Sequence, residues 1–186
     1  MMVRIKDRVL LGVAAGLGAN AAKQTLDSIF RKLKWLEIDG RERAAGMLIS
    51  PHKLAKKSGR LVGYIADNTV ASLIGIGTVY ALSVVGKEKA ALKGAITGEA
   101  AWTGLYGVLG TMGATKVAPA DPATVLSEFA SHTVFGVLAA TIASKLGDES
   151  LFNGSKPLAV FATKVQPDHQ TEGKPVGSIG QNNAAG

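Results

Sequence analysis

The chain has 186 residues and no cysteine, which excludes disulfides, thiolate metal sites and cysteine nucleophiles. Its hydrophobic fraction is 47%, yet aromatics make up only 5% and glycines number 23, which suits close helix contact in a membrane better than a soluble core. The formal charge of +7 lies wholly in the first third, where residues 1–60 hold thirteen Lys and Arg against five Asp and Glu.

Residues 1–8 are short and basic, and 9–22 are apolar. This is the outline of a signal peptide, but the helical pattern runs on through Lys23, Asp27, Phe30 and Leu33. The spacing predicts one helix over 8–33, either a full span or a partial, re-entrant one. Lys23 and Asp27 are four apart and share a face.

Residues 34–60 form a basic interfacial loop, with Trp35 as an anchor and a short amphipathic helix over 41–49 ended by Ser50-Pro51. Beside apolar spans, such a basic block reads as contact with anionic lipid head groups, with no nucleic-acid partner. Three further helices are predicted over 61–86, 94–115 and 122–146, each with the roughly 20 apolar residues needed to span a bilayer. Asp121 and Pro122 suit an N-cap and a first helical position. Residues 148–186 read as a flexible polar tail behind a single domain over 1–147.

The expected fold class is therefore all-α: an integral-membrane bundle of four helices in the bacterial inner membrane, packed through small residues. Gly12 with Gly16, and Gly94 with Gly98, are GxxxG pairs that bring backbones together within the bundle or in a homo-oligomer. The competing arrangement is a soluble all-α protein with buried Ala-rich helices.

Each apolar stretch carries an ionisable group, which costs about 2.5–3.5 kcal/mol at mid-bilayer on insertion scales. Helices 61–86 and 122–146 both start on the side of the 34–60 loop, placing Asp67, Asn68, Glu128 and His132 roughly 10 Å inward. Helix 8–33 delivers Asn20 and Lys23 to the same level. Glu99 enters from the opposite side and falls deeper, either paired with Lys23 or protonated. A single polar layer of Asn20, Lys23, Asp67, Asn68, Glu99, Glu128 and His132 is the expectation.

Glu128 and His132, four apart, support three readings: an intrahelical hydrogen bond, a proton relay, or two ligands of a metal. Glu99, Trp102 and Tyr106 share a face. No nucleophile elbow, phosphate loop or zinc-protease motif occurs, so neither an enzyme nor a cofactor is expected. The Lys and Arg of 23–60 put the loop side in the cytoplasm, against the pull of Arg4, Lys6 and Arg8.

The order GVAAGLGANAAKQTLD, AAGMLISP, SGRLVGYIADNTVASLIG, KGAITGEAAWTGLYG and DPATVLSEFASHTVFGV resembles small four-helix bacterial inner-membrane proteins of the YqhR-like and YagU-like neighbourhood over residues 8–146. The resemblance implies a multi-pass helical bundle and carries over no functional residues. Two functions follow from the residues: ion or proton handling through the polar layer, or a structural protein whose layer only specifies packing.

Overall fold

A computed structural model describes residues 4–113 and 121–153. Among these the chain is all-helical, apart from an isolated bridge between Ile5 and Gly147. Helix α1 spans Arg8–Lys32, α2 Gly40–Leu48, α3 Lys57–Val85, α4 Ala90–Trp102, α5 Pro122–Leu146 and the short α6 Ser150–Asn153. A π-helical stretch, Thr103–Val108, and a final turn, Leu109–Thr111, extend α4.

Local sequence sets the helix ends. Asp7 caps α1 by accepting from the Leu10 amide at 2.8 Å. The other end of α1 closes in a Schellman arrangement: Trp35 N–H donates to Phe30 O, and Lys34 N–H to Arg31 O. Lys34 takes the left-handed conformation (φ 60°) usually left to glycine, and the Phe30 and Trp35 rings stack at 6.0 Å across the turn. Asp39 and Glu42 form a capping box on α2, and Asp121 caps α5 from ahead of Pro122.

Helix α1 lies between α3 and α5, α5 packs along α4, and α2 rests on α3. The seams are built from missing side chains. A Cβ on Gly75 would stand 2.2 Å from Gly12 O, and one on Gly16 would stand 2.3 Å from Ala71 O. Between α4 and α5, a Cβ on Gly136 would stand 2.0 Å from Gly94 O, and one on Gly98 would stand 2.2 Å from His132 O. No L side chain fits at such distances, so Gly12, Gly16, Gly94 and Gly98 all face partners within this chain.

Along the bundle axis, the chain-terminal end holds the larger apolar cluster, with Leu11, Val79, Leu82, Leu151 and Phe152. A smaller one of Ala19, Ala71, Phe135 and Ala139 follows. Beyond it, toward the 34–60 end, the interior turns polar.

The structure departs from the expected boundaries in several places, and the helix expected over 61–86 already starts at Lys57. Residues 148–153 are not tail: α6 buries Leu151 and Phe152, because the segment 4–7 pairs with the end of α5 and holds it in place. The remaining tail, 154–186, and residues 114–120 lie outside the described residues. The helix expected over 94–115 starts earlier, at Ala90, and loses α-helical hydrogen bonding after Trp102. Among the described residues two helices, α3 and α5, are long and apolar enough to cross a membrane. Lys23 and Asp27 lower the apolar character of α1, and α4 alone has 13 residues.

Candidate functional site: a charged layer beneath helix α2

The face of α1 carrying Asn20, Lys23, Gln24 and Asp27 meets α3 at Asp67. Asn20 Nδ2 donates to Asp67 Oδ2 at 2.9 Å and to Asn68 Oδ1 at 3.3 Å. Gln24 Nε2 donates to the same Asp67 oxygen at 3.0 Å. Lys23 Nζ lies 3.1 Å from Asp27 Oδ2 and 3.8 Å from Asp67 Oδ1, so one ammonium serves two carboxylates. Lys23 and Asp27 are each 4% exposed and Asp67 8%.

The third carboxylate takes its cation from an unexpected place. Arg43 of α2 points inward and its Nε donates to Glu128 Oε1 at 2.5 Å. Its guanidinium also lies over the Tyr106 ring, 5.0 Å from the centroid. Tyr106 meets His132 edge-on at 5.2 Å. The loop over 34–60 is thus not simply interfacial: α2 packs on α3 and sends Arg43 inward to Glu128 and Tyr106.

Glu128 and His132 do not pair through their side chains. His132 Nδ1 sits 2.8 Å from the Glu128 backbone oxygen, which can only accept, so the neutral ring carries its proton on Nδ1. The Glu128 carboxylate turns to Arg43 instead, so the side-chain hydrogen bond that is one reading of this spacing does not form. Among the described residues no group of three His, Cys, Asp or Glu stands ready to hold a metal.

Glu99 stands outside this network. Its described partner is the Thr133 hydroxyl at 3.4 Å, and Lys23, its expected counter-charge, is committed to Asp27 and Asp67. Trp102 packs edge-on against Phe129 of α5 at 5.4 Å, so the face shared by Glu99, Trp102 and Tyr106 lies against α5.

A cavity lies in the middle of the layer, bordered by Lys23, Gly40, Arg43, Asp67, Tyr106 and His132. It offers water molecules about 30 Å³. One water needs roughly 10–15 Å³ on that measure, so the space takes about two waters and no organic solute. Gly40 keeps it open, since a Cβ there would stand 2.6 Å from Lys23 Nζ and 2.9 Å from Asp67 Oδ1. Beside His132, five acidic or strongly basic side chains at this level are buried: Asp27, Asp67 and Glu128 against Lys23 and Arg43. With all five ionised the layer is one positive charge short.

Outside the layer, α2 is tethered by charge. Burial works to raise the Asp39 carboxyl, but hydrogen bonds from Arg41 and the Glu42 amide outweigh it and hold Asp39 below the usual carboxylate range. Arg41 Nη2 lies 2.6 Å from Asp39, and Arg31 bridges Asp39 and Glu42.

No protein-family model, curated protein or solved structure matches this chain. Among the described residues, fold and site together define an all-helical bundle with acidic and basic side chains paired in its interior, two of whose helices are long and apolar enough to cross a membrane.

Proposed function

We propose that the chain is a non-enzymatic, multi-pass protein of the bacterial inner membrane, in which α1, α3, α4 with its extension, and α5 form the bundle and the buried layer handles protons or small cations. The observation that carries the membrane reading is the inverted distribution of polarity. Leu61, Leu73, Leu92, Ile96 and Leu126 are each 60% exposed or more, while Lys23, Asp67, Arg43 and Glu128 are each at most 8% exposed. Only 33% and 44% of the most apolar windows of α3 and α5 are covered by protein. In water such an exterior is a liability; against lipid tails it is the solvated face. The excess of Lys and Arg around α2 favours the cytoplasm for that end. At the other end Arg4 pairs with Glu149, and Arg8 donates to Ser83 and to Leu151 O, so part of the competing positive charge is already paired.

Proton or cation handling draws its support from the charge count. Three carboxylates, two cations and space for water leave room for one further positive charge, and the cavity is too small for anything but a proton or a small ion. Lys23 and Arg43 border it and repel metal cations, which favours the proton. A structural role is the second reading, favoured by the partner each buried carboxylate has.

The test uses the full chain in proteoliposomes containing a pH-sensitive dye. Wild-type protein should carry a proton flux that Asp67→Asn abolishes while the bundle still assembles. Glu99→Gln, outside the network, should leave the flux intact. A silent wild type, with Asp67→Asn altering thermal stability alone, would establish the structural reading instead. Release of the protein from membranes by alkaline carbonate would overturn the membrane reading itself.

A further inference from the structure

We propose that the groove between α2 and the start of α3 binds the phosphodiester head group of an anionic phospholipid. The inference rests on the membrane reading above but not on proton handling. The groove encloses about 390 Å³ and is bordered by Arg31, Arg41, Arg60, Asp39, Glu42 and Tyr64. Pockets of about 300–1,000 Å³ are the size that takes small-molecule ligands, so a glycerophosphate group fits.

The chemistry of the border selects the ligand. Arg31 and Arg41 are held by Glu42 and Asp39, which fixes their guanidinium groups at the groove. The Arg60 backbone N–H donates to Lys56 O, but its guanidinium makes no hydrogen bond or ion pair among the described residues, so its side-chain donors are uncommitted. Three arginines against two carboxylates leave the groove one positive charge in excess, which a singly charged phosphodiester neutralises. A zwitterionic lipid brings its own ammonium to the same place and gains less.

The surroundings supply the rest of the lipid's contacts. Arg60 sits in the first turn of α3, where the apolar helix begins. From there Leu61, Tyr64 and Ile65, between 53% and 60% exposed, continue along the outer face as a strip for acyl chains. A free phosphate would use the arginines and leave that strip uncovered.

The experiment is native mass spectrometry of the full chain, released from mixed phosphatidylglycerol and phosphatidylcholine bilayers, with retained lipid counted. Wild-type protein should retain phosphatidylglycerol preferentially. Arg60→Gln should lower that preference about tenfold, the effect of losing one charge-assisted contact. Lys32→Gln removes the same charge outside the groove and should change the preference far less. Equal losses in the two variants would reduce the effect to diffuse attraction and overturn the site, as would displacement of the lipid by inorganic phosphate. A chain that stays in carbonate-washed membranes but shows no lipid preference overturns this site alone; a chain released by carbonate overturns the membrane reading beneath it.

Discussion

The seams between the long helices and the layer beneath α2 hold the bundle together by opposite means. At the seams, Gly12 and Gly16 meet Gly75, and Gly94 and Gly98 meet Gly136, so that backbones touch with nothing between them. In the layer, Lys23, Arg43, Asp27, Asp67 and Glu128 bring whole charges into a buried interior. A seam is sensitive to an added atom, whereas the layer is sensitive to its balance of charge. The seams therefore define how the helices pack, and the layer is the part able to change state.

The largest effect should come from unbalancing the layer. Removing one partner of a buried ion pair costs about 3–5 kcal/mol. Here the two partners are not equivalent. Arg43→Met leaves Lys23 alone against three carboxylates, whereas Glu128→Leu leaves two cations against two. Thermal unfolding in detergent should therefore show Arg43→Met as the more damaging change, at the full cost of about 3–5 kcal/mol, with the double variant recovering part of the loss. Equal damage from the two single variants would show that the net charge of the layer does not govern its stability.

At the seams the contrast is steric. Gly136→Ala places a Cβ 2.0 Å from Gly94 O and 2.7 Å from Gly98 N, where only backbone can give way. Overpacking of this kind costs about 1–3 kcal/mol and sometimes more. Gly77, on the same helix as Gly75, has nothing within 4 Å of its Cβ position. Gly77→Ala should stay within about 1 kcal/mol of wild type, since alanine is the better helix former. Similar loss at both glycines would mean that helix propensity, rather than contact, decides.

The seams were far more legible in the sequence than the layer. GxxxG spacing and helical periodicity place Gly12, Gly16, Gly94 and Gly98, because a helix face is a local property that spacing alone defines. Equal depth likewise brings Asn20, Lys23, Asp67, Asn68, Glu128 and His132 to one end of the bundle. Depth sets Glu99 apart but says nothing of azimuth, so that its side chain reaches Thr133 rather than Lys23 is not legible. Gln24 carries a usable signal, four residues after Asn20 on the same face. Arg43 carries almost none: it is one of thirteen basic residues in 1–60. The legible clue is the capping box of Asp39 and Glu42, which starts a helix there; the small residues Ala44, Ala45 and Gly46 then let that helix press close. The π-helical stretch that helps set Tyr106 against His132 has no sequence signature at all.

The smallest effect probes the tether that joins layer to surface. Asp39 caps α2 and takes hydrogen bonds from Arg41, so its carboxyl is depressed in the folded state despite its burial. A depressed acid stabilises the fold above its unfolded value, near 3.9, and that contribution disappears as pH falls through the lower folded value. Asp39→Asn keeps the capping oxygen, since asparagine caps about as well as aspartate, and removes only the charge. Arg31 and Arg41 are about 40% exposed on their side chains, so the two lost ion pairs are screened and the change should cost about 1 kcal/mol near neutrality. Amide exchange in α2 should then report faster opening in Asp39→Asn than in wild type at neutral pH. The gap should close as pH drops below about 4, because acid protonates Asp39 in the wild type and leaves the variant's uncharged amide as it was. A gap that persists at low pH would assign the role of Asp39 to its cap alone and free α2 from electrostatic control.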